Sequence, residues 1–460
     1  MTRTERRAVI GLALIFAFRM LGLFIILPVF SVLAENLQGA TPALTGLAIG
    51  AYGFAQALFQ IPFGLLSDRV GRKAVIAGGL ILFFLGSGLA AISSSIYQVI
   101  AGRLLQGSGA IAAPVMALVA DLTREEQRTK AMAVIGVSIG LSFAVSMVAG
   151  PAIGHWWGLA GLFWVTAGLA LLGLMILWTI VPTPVAVHFH RDAETQPSRF
   201  GQVLTDLELL RLDFGILVLH AILTATFLAV PMALREFVPT FKHSYFYLSA
   251  MALALLFMIP LMIAAERRQR MKAVFLLGVT TIVFAEASLA YFHNQLYAIA
   301  LGLTVFFTGF NLLEALLPSL ISKIAPVDLK GTAMGVYSTS QFLGAFLGGA
   351  VGGFLHGRFG LAAVFWFSAG MALLWLLFAL SMAPPRAVKS LLLPLTLPDP
   401  QRAVPLAHAL RRLPGVVEAV VVPDENVIYL KVDEKLLDFG RLEALVTDFS
   451  GSLTAQPAEN

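Results

Sequence analysis

Again and again along this chain, about twenty residues pass with almost no charge, enough to cross the hydrocarbon core of a bilayer as one helix. Such runs begin near positions 8, 42, 74, 97, 131 and 159, and then near 211, 245, 272, 296, 331 and 360. Twelve membrane helices are therefore expected. The chain is 58% hydrophobic with a mean hydropathy of +0.86, and a soluble fold of 460 residues could not hide that much apolar surface. The opening MTRTERR followed by an apolar run resembles a signal peptide. The run from Ala8 to about Ala34 is too long for one, however, and lacks a small-residue cleavage site, so it reads as the first span. Cysteine is absent, which excludes disulfides, thiol catalysis and thiolate metal sites.

The longest internal connection, about 183–210, divides the helices six and six, giving expected bundles at 1–182 and 211–383. Lys and Arg collect in alternate loops: Arg3, Arg6 and Arg7, then Arg69, Arg72 and Lys73, then Arg124, Arg128 and Lys130, and so on to Arg386 and Lys389. The opposite loops hold mainly Lys242 and Arg358. By the positive-inside rule both termini are cytoplasmic, and the net charge of +5 follows from topology and needs no nucleic-acid partner. The halves also look alike. IPFGLLSDRVGRK-AV (61–75) aligns with IPLMIAAERRQRMKAV (259–274), setting Asp68 against Glu266, and KAMAV (130–134) matches TAMGV (332–336). Duplication around a central site is how many transporters are built.

Charge is scarce, yet GLLSDRVGRK (64–73) concentrates Asp68, Arg69, Arg72 and Lys73 between two apolar runs. Topology accounts for the basic residues. It does not account for Gly64, Gly71 and Asp68, which suit close packing, a tight turn and an anionic contact. With GRLLQGSGA (102–110), built around Arg103, Gln106 and Gly107, and SMVAGPAIG (146–154), carrying Gly150, Pro151 and Gly154, the chain resembles the major facilitator superfamily, in particular its twelve-helix drug:proton antiporters. The resemblance implies two six-helix bundles working by alternating access in the inner membrane of a bacterium. It implies that Asp68 faces the start of the eleventh helix, near Gly331 and Thr332, when the carrier is outward-open. Arg72 would pair with Asp121, making 64–73 a latch between the halves. It implies a part in proton coupling for Arg103, whose plainer role is to join helices, and export for the Gly-Pro motif of the fifth helix.

Intramembrane ionisable residues are expensive and usually functional. Arg19, deep in the first helix, could bind an anionic substrate group or hold a carboxylate. His220, Glu286 and Glu314 are the titratable candidates of the second half, and the resemblance implies that Glu286 falls on an outer helix that does not line the cavity. Glu314 sits between Asn311 and Pro318, where a loosened polar wall could let it carry a proton. Cavity polarity is expected from Tyr52, Gln56, Gln106, Asn311, Tyr337, Ser340 and Gln341, among Leu, Phe and Ala that suit an amphipathic organic solute.

Two pieces read as soluble. The connection carries HFHRD (188–192), whose two histidines invite a metal but are more often simply exposed, so no metal site is expected. An amphipathic surface helix follows from Ser198. After Pro384-Pro385 come a strand (388–397), a helix (401–413), a hairpin (416–433) and a helix (435–448), with a short or missing last strand. That order gives a ferredoxin-like domain over 388–454, serving regulation, self-association or stability. No catalytic triad, metal cluster or phosphate loop is present, so neither an enzyme nor ATP coupling is expected, and the resemblance implies a proton gradient as the energy source, with no cofactor. The leading expectation is a proton-coupled exporter of small amphipathic compounds. Proton symport for uptake, and a sensor signalling through the tail, remain alternatives.

Overall fold

The computed structural model describes residues 1–450 apart from 185–195, 268–269, 385–387, 396, 398, 424–425 and 434–435. Long helices dominate. In the first half these are α1 (Arg3–Phe24), a single turn α2 (Phe30–Leu33), α3 (Pro42–Val70), α4 (Arg72–Ala91), α5 (Ile96–Ser108), α6 (Ala112–Leu122) and α7 (Glu125–Thr179). A five-residue α8 (Phe200–Leu204) precedes α9 (Leu207–Arg235), α10 (His243–Arg267), α11 (Met271–Phe292), α12 (Leu296–Ile324), α13 (Lys330–Phe359) and α14 (Leu361–Leu380). We call the end bearing the Arg- and Lys-rich turns the basic face, and the other end the far face.

Among the described residues, ten helical stretches are long and apolar enough to cross a membrane. The twelve expected from the sequence reduce to ten for two physical reasons. The fifth and sixth runs form one continuous 55-residue α7 that turns at Gly158, where φ is +62° and a side chain would be strained. The thirty-residue α13 has the length, but glycines, Ser, Thr and Gln dilute its hydropathy. Within the fourth run the helix also breaks, α5 ending at Ser108 and α6 starting at Ala112. The amphipathic helix expected from Ser198 shrinks to α8, because Asp206 accepts from the backbone of Glu208 and Leu209 and so starts α9 there.

The halves meet along a seam whose far half is shut. A Cβ on Gly50 would lie 2.7 Å from the Phe346 carbonyl oxygen, one on Gly53 2.6 Å from that of Phe342, and one on Gly353 2.6 Å from that of Pro42. Only glycine lets α3 and α13 approach so closely. Beside them Ser244 donates to the Val148 carbonyl at 2.8 Å, and Arg235 pairs with Glu35. Toward the basic face the contacts stop. Consecutive residues Leu255, Leu256 and Phe257 of α10, and Ala133 and Val134 of α7, are exposed, so more than one side of each helix is uncovered. The halves therefore part on the basic face. Around the far face Trp156, Trp157, Tyr245, Tyr291, Tyr297 and Phe359 stand exposed at helix ends, as an interfacial aromatic belt requires.

The tail forms an antiparallel sheet in the order β1-β3-β2, with β1 Lys389–Pro394, β2 Val416–Val422 and β3 Val427–Val432. Helices α15 (Ala403–Arg411) and α16 (Phe439–Ser450) pack on it through Leu406, Leu410, Leu442 and Val446. The elements described follow the chain order expected, and the stretch after Ser450, where a short last strand would have to come, lies outside the described residues. Lys431 anchors the unit to the membrane body, donating to the carbonyl oxygens of Ile324, at 3.2 Å, and Ala325. Burial pushes its amine below the usual lysine range, an effect that the nearby Glu418 opposes. Lys431→Met should undock the unit, seen as severalfold faster protease release of the tail from membrane-embedded protein. Unchanged cleavage would show that Lys431 is not the anchor.

Candidate functional site

The basic end of the seam is organised by one arginine. Gly71 takes φ +104° between α3 and α4 and so aims Arg72 back under the loop. Arg72 is 2% exposed; it pairs with Asp68, donates to Ser67 Oγ at 2.9 Å and reaches Asp121 Oδ2 at 3.2 Å. Ser67 in turn donates to the Gly64 carbonyl, and a Cβ on Gly64 would stand 3.2 Å from Ala113 of α6. Lys73 donates to the Val181 carbonyl at 2.8 Å with the Trp178 ring beneath it. Arg69 is exposed. Gly64, Asp68, Gly71, Arg72 and Asp121, five of the seven residues singled out around this loop, thus form one unit, while Lys73 ties the loop to the end of α7. A buried ion pair of this kind contributes mainly by fixing geometry, and removing one partner leaves an uncompensated charge worth roughly 3–5 kcal/mol.

Asp68 does not reach the start of α13 here. Gln196 occupies that place: its backbone N–H donates to Thr332 Oγ1 at 2.9 Å and its side chain to the Asp328 carbonyl at 3.2 Å, while Arg199 pairs with Asp328. That agrees with a body parted on the basic face, since the expected latch belongs to the opposite state. HFHRD lies outside the described residues.

Inside the first half, Arg103 is tied to neutral acceptors. It donates to Gln106 Oε1 at 2.9 Å and to the Ala48 and Ile49 carbonyls at 3.4 Å, and Gln106 continues to Ser87. Arg19 donates to Gln56, which donates to Gln60 at 2.5 Å, and its guanidinium lies 5.8 Å from the Tyr52 ring. Tyr52, Gln56 and Gln106 are all buried in this half. Gly150 faces the Ile25 carbonyl and Pro28 at the break between α1 and α2, and Gly154 faces Leu33 and Val29, so the Gly-Pro motif with Pro151 seats α7 on that break. Ser138, Ser142 and Ser146 extend the contact as a ladder onto the Ala13, Ala17 and Leu21 carbonyls.

The second half gathers its candidates at one spot. Gln341 donates to His220 Nε2 at 2.8 Å and to Glu314 Oε1 at 3.3 Å, and the His220 and Glu314 side chains come within 3.8 Å. Glu314 remains 34% exposed, the most accessible acid in the interior of the seam. Asn311 contacts Met251 Sδ, and Ser340 is half-buried beside the group. Tyr337 is buried and lies within electrostatic reach of both Glu314 and Asp213. Asp213 is a residue the sequence reading missed: the apolar run was set to begin near 211, but α9 begins at Leu207 and buries Asp213 to 5%. Its distance of seven residues from His220, two helical turns on one face, was the available signal. Glu286 is fully buried and accepts from Thr226 at 2.8 Å, a bond between α9 and α11 away from this group.

A family model described as Major Facilitator Superfamily matches residues 12–349 and, overlapping, 248–414. The inner membrane transport protein YajR of Escherichia coli K12 is 46% identical over 447 residues, covering 97% of this chain and 98% of that one. The multidrug resistance protein MdtH of Aeromonas hydrophila is 27% identical over 350 residues, 73% of this chain and 84% of that one. Among solved structures, a D-xylose-proton symporter superposes with a TM-score of 0.69 at 16% identity, over 83% of this chain and 98% of that one. That last likeness shows the fold alone.

Proposed function

The chain belongs to the major facilitator superfamily, and from that footing we propose that it is a proton-coupled secondary transporter exporting small amphipathic organic compounds. The observation that carries the reading is the Glu314–Gln341–His220 group. It holds a partly exposed carboxyl against an imidazole, beside a seam shut on one face and parted on the other. A carboxyl so placed can be loaded and unloaded as access alternates. On this reading the basic face is cytoplasmic, both termini lie there, the two arms of α7 and the polar α13 complete twelve crossings, and no cofactor takes part. The name of MdtH, a multidrug resistance protein, supports export over uptake. The Arg72-centred loop is the part that would lock the basic face shut.

The direct test is reconstitution. Purified protein in liposomes, given an imposed pH gradient, should drive an amphipathic dye outward in exchange for protons. Flux in the proton's own direction would mean symport, and a gradient without effect would leave the sensor. Asp68→Asn should abolish the flux while expression and membrane insertion stay at wild-type level. Unaltered transport in that variant would end the latch reading.

A further inference from the structure

Buried charge is sorted between the halves. The interior of the first half holds two guanidiniums, Arg19 and Arg103, each 1% exposed. The acids of that half whose side chains are described sit at the helix ends and are engaged: Glu5 with Arg124, Glu35 with Arg235, Asp68 and Asp121 with Arg72. The second half carries acids instead, Asp213, Glu286 and Glu314.

The two arginines are not equivalent. Arg103 gives each of its three kinds of nitrogen to an oxygen of its own half. Arg19 gives Nη2 to Gln56, while its Nε and Nη1 meet no acceptor among the described residues. The neighbouring Tyr52 hydroxyl has no partner there either. Buried donors are ordinarily paired, and a buried cation is ordinarily matched by an anion. Here the unpartnered Nε and Nη1 of a buried guanidinium lie with a phenol beside the Tyr52 and Phe83 rings, whose centroids are 5.8 and 5.9 Å from the guanidinium. Donors left over on a buried cation call for an anionic oxygen such as a carboxylate, which accepts charge-assisted bonds that an ammonium cannot accept and a neutral amide accepts only weakly. Gln56 lies midway along α3, so Arg19 is at mid-membrane depth, and Tyr52 also touches Phe342 of the opposite half, 6.3 Å between ring centroids. The group therefore lies directly behind the seam.

We propose that Arg19, with Tyr52 and Gln56, is the anion subsite of this transporter, and that its substrates are organic acids joining one anionic group to an apolar, ring-sized body. Substrate and proton are then held on opposite walls, the anion by the first half and the proton by the second. The inference rests on the transporter reading for the role of the site, but its test is a binding measurement that needs neither flux nor a gradient.

The probes are 2-naphthoate, 2-naphthamide and (2-naphthylmethyl)trimethylammonium, which share a body and differ in charge. Thermal stabilisation of the full-length protein in detergent should be saturable with 2-naphthoate and at least tenfold weaker in apparent affinity with the other two. Arg19→Gln should abolish that preference and Arg19→Lys should keep part of it. Tyr52→Phe, which keeps the ring and the packing, should weaken 2-naphthoate severalfold and leave 2-naphthamide unchanged, and so serves if the arginine variants fail to fold. Equal stabilisation by all three probes, none by 2-naphthoate, or an unaltered preference in Tyr52→Phe together with Arg19→Gln would overturn the assignment. Loss of gradient-driven flux with the preference intact would instead count against proton coupling alone.

Discussion

Gly50→Leu is expected to hold the protein open on the far face. The new side chain would start 2.7 Å from the Phe346 carbonyl oxygen and 3.1 Å from its Cα, and neither is a flexible tip that can swing aside. Overpacking against side chains typically costs about 1–3 kcal/mol, and a clash with backbone lies at the upper end. That penalty falls only on the state in which α3 and α13 touch, so the equilibrium should move by about tenfold to a hundredfold toward far-face opening. The chain has no cysteine, so a single introduced one reports cleanly. Thr45→Cys, at a position 5% exposed beside the far-face cleft with Glu35 and His356, should be slow to react with a membrane-impermeant maleimide. With Gly50→Leu added it should react at least tenfold faster. Equal rates would mean that the glycine seam does not set which face is shut.

The second large effect is expected at Glu314. Glutamine there keeps the shape and can still meet Gln341, but it can neither lose nor regain a proton. All flux driven by a pH gradient should therefore fall to that of protein-free liposomes. Exchange of substrate for substrate across the membrane, which asks for no net proton movement, should continue at a rate comparable with wild type. The two assays together separate a proton carrier from a residue that merely packs, since a packing role would damage both. A Glu314→Gln protein that still concentrates substrate against its gradient would remove Glu314 from the coupling scheme and leave Asp213 and His220 to be tried.

Much of the body could be read from the residues because membrane helices announce themselves by length and apolarity. Helix starts at Pro42, Ile96 and Leu296 fall where the apolar runs begin, and the tail's strand at Val416–Val422 lies where turn residues bracket it. The loop around Arg72 stood out because charge is rare in this chain, whereas the pairing of Arg72 with Asp121 came only from the family resemblance. Partner choice across the seam was not legible. Gly348 and Gly349 are adjacent in sequence and identical in chemistry, yet Gly348 packs on Ala221 within its own half and Gly349 on Gly46 of the other. Helical periodicity says that a face is small, and not which neighbour it meets. Gln196 at Thr332 was hidden for a related reason: a polar residue in a connection carries no periodic signal.

The aromatic belt has a mechanical consequence. Trp156, Trp157, Tyr291 and Tyr297 pin the far-face ends at the headgroup level, where the two halves are also pressed together. Parting or closing the basic half then changes the area the protein occupies in one leaflet and hardly at all in the other. On the proposed alternating-access reading, the lateral pressure of that leaflet would do work of opposite sign on opening and on closing, so lipid shape would bias which state is populated, alongside the ligands.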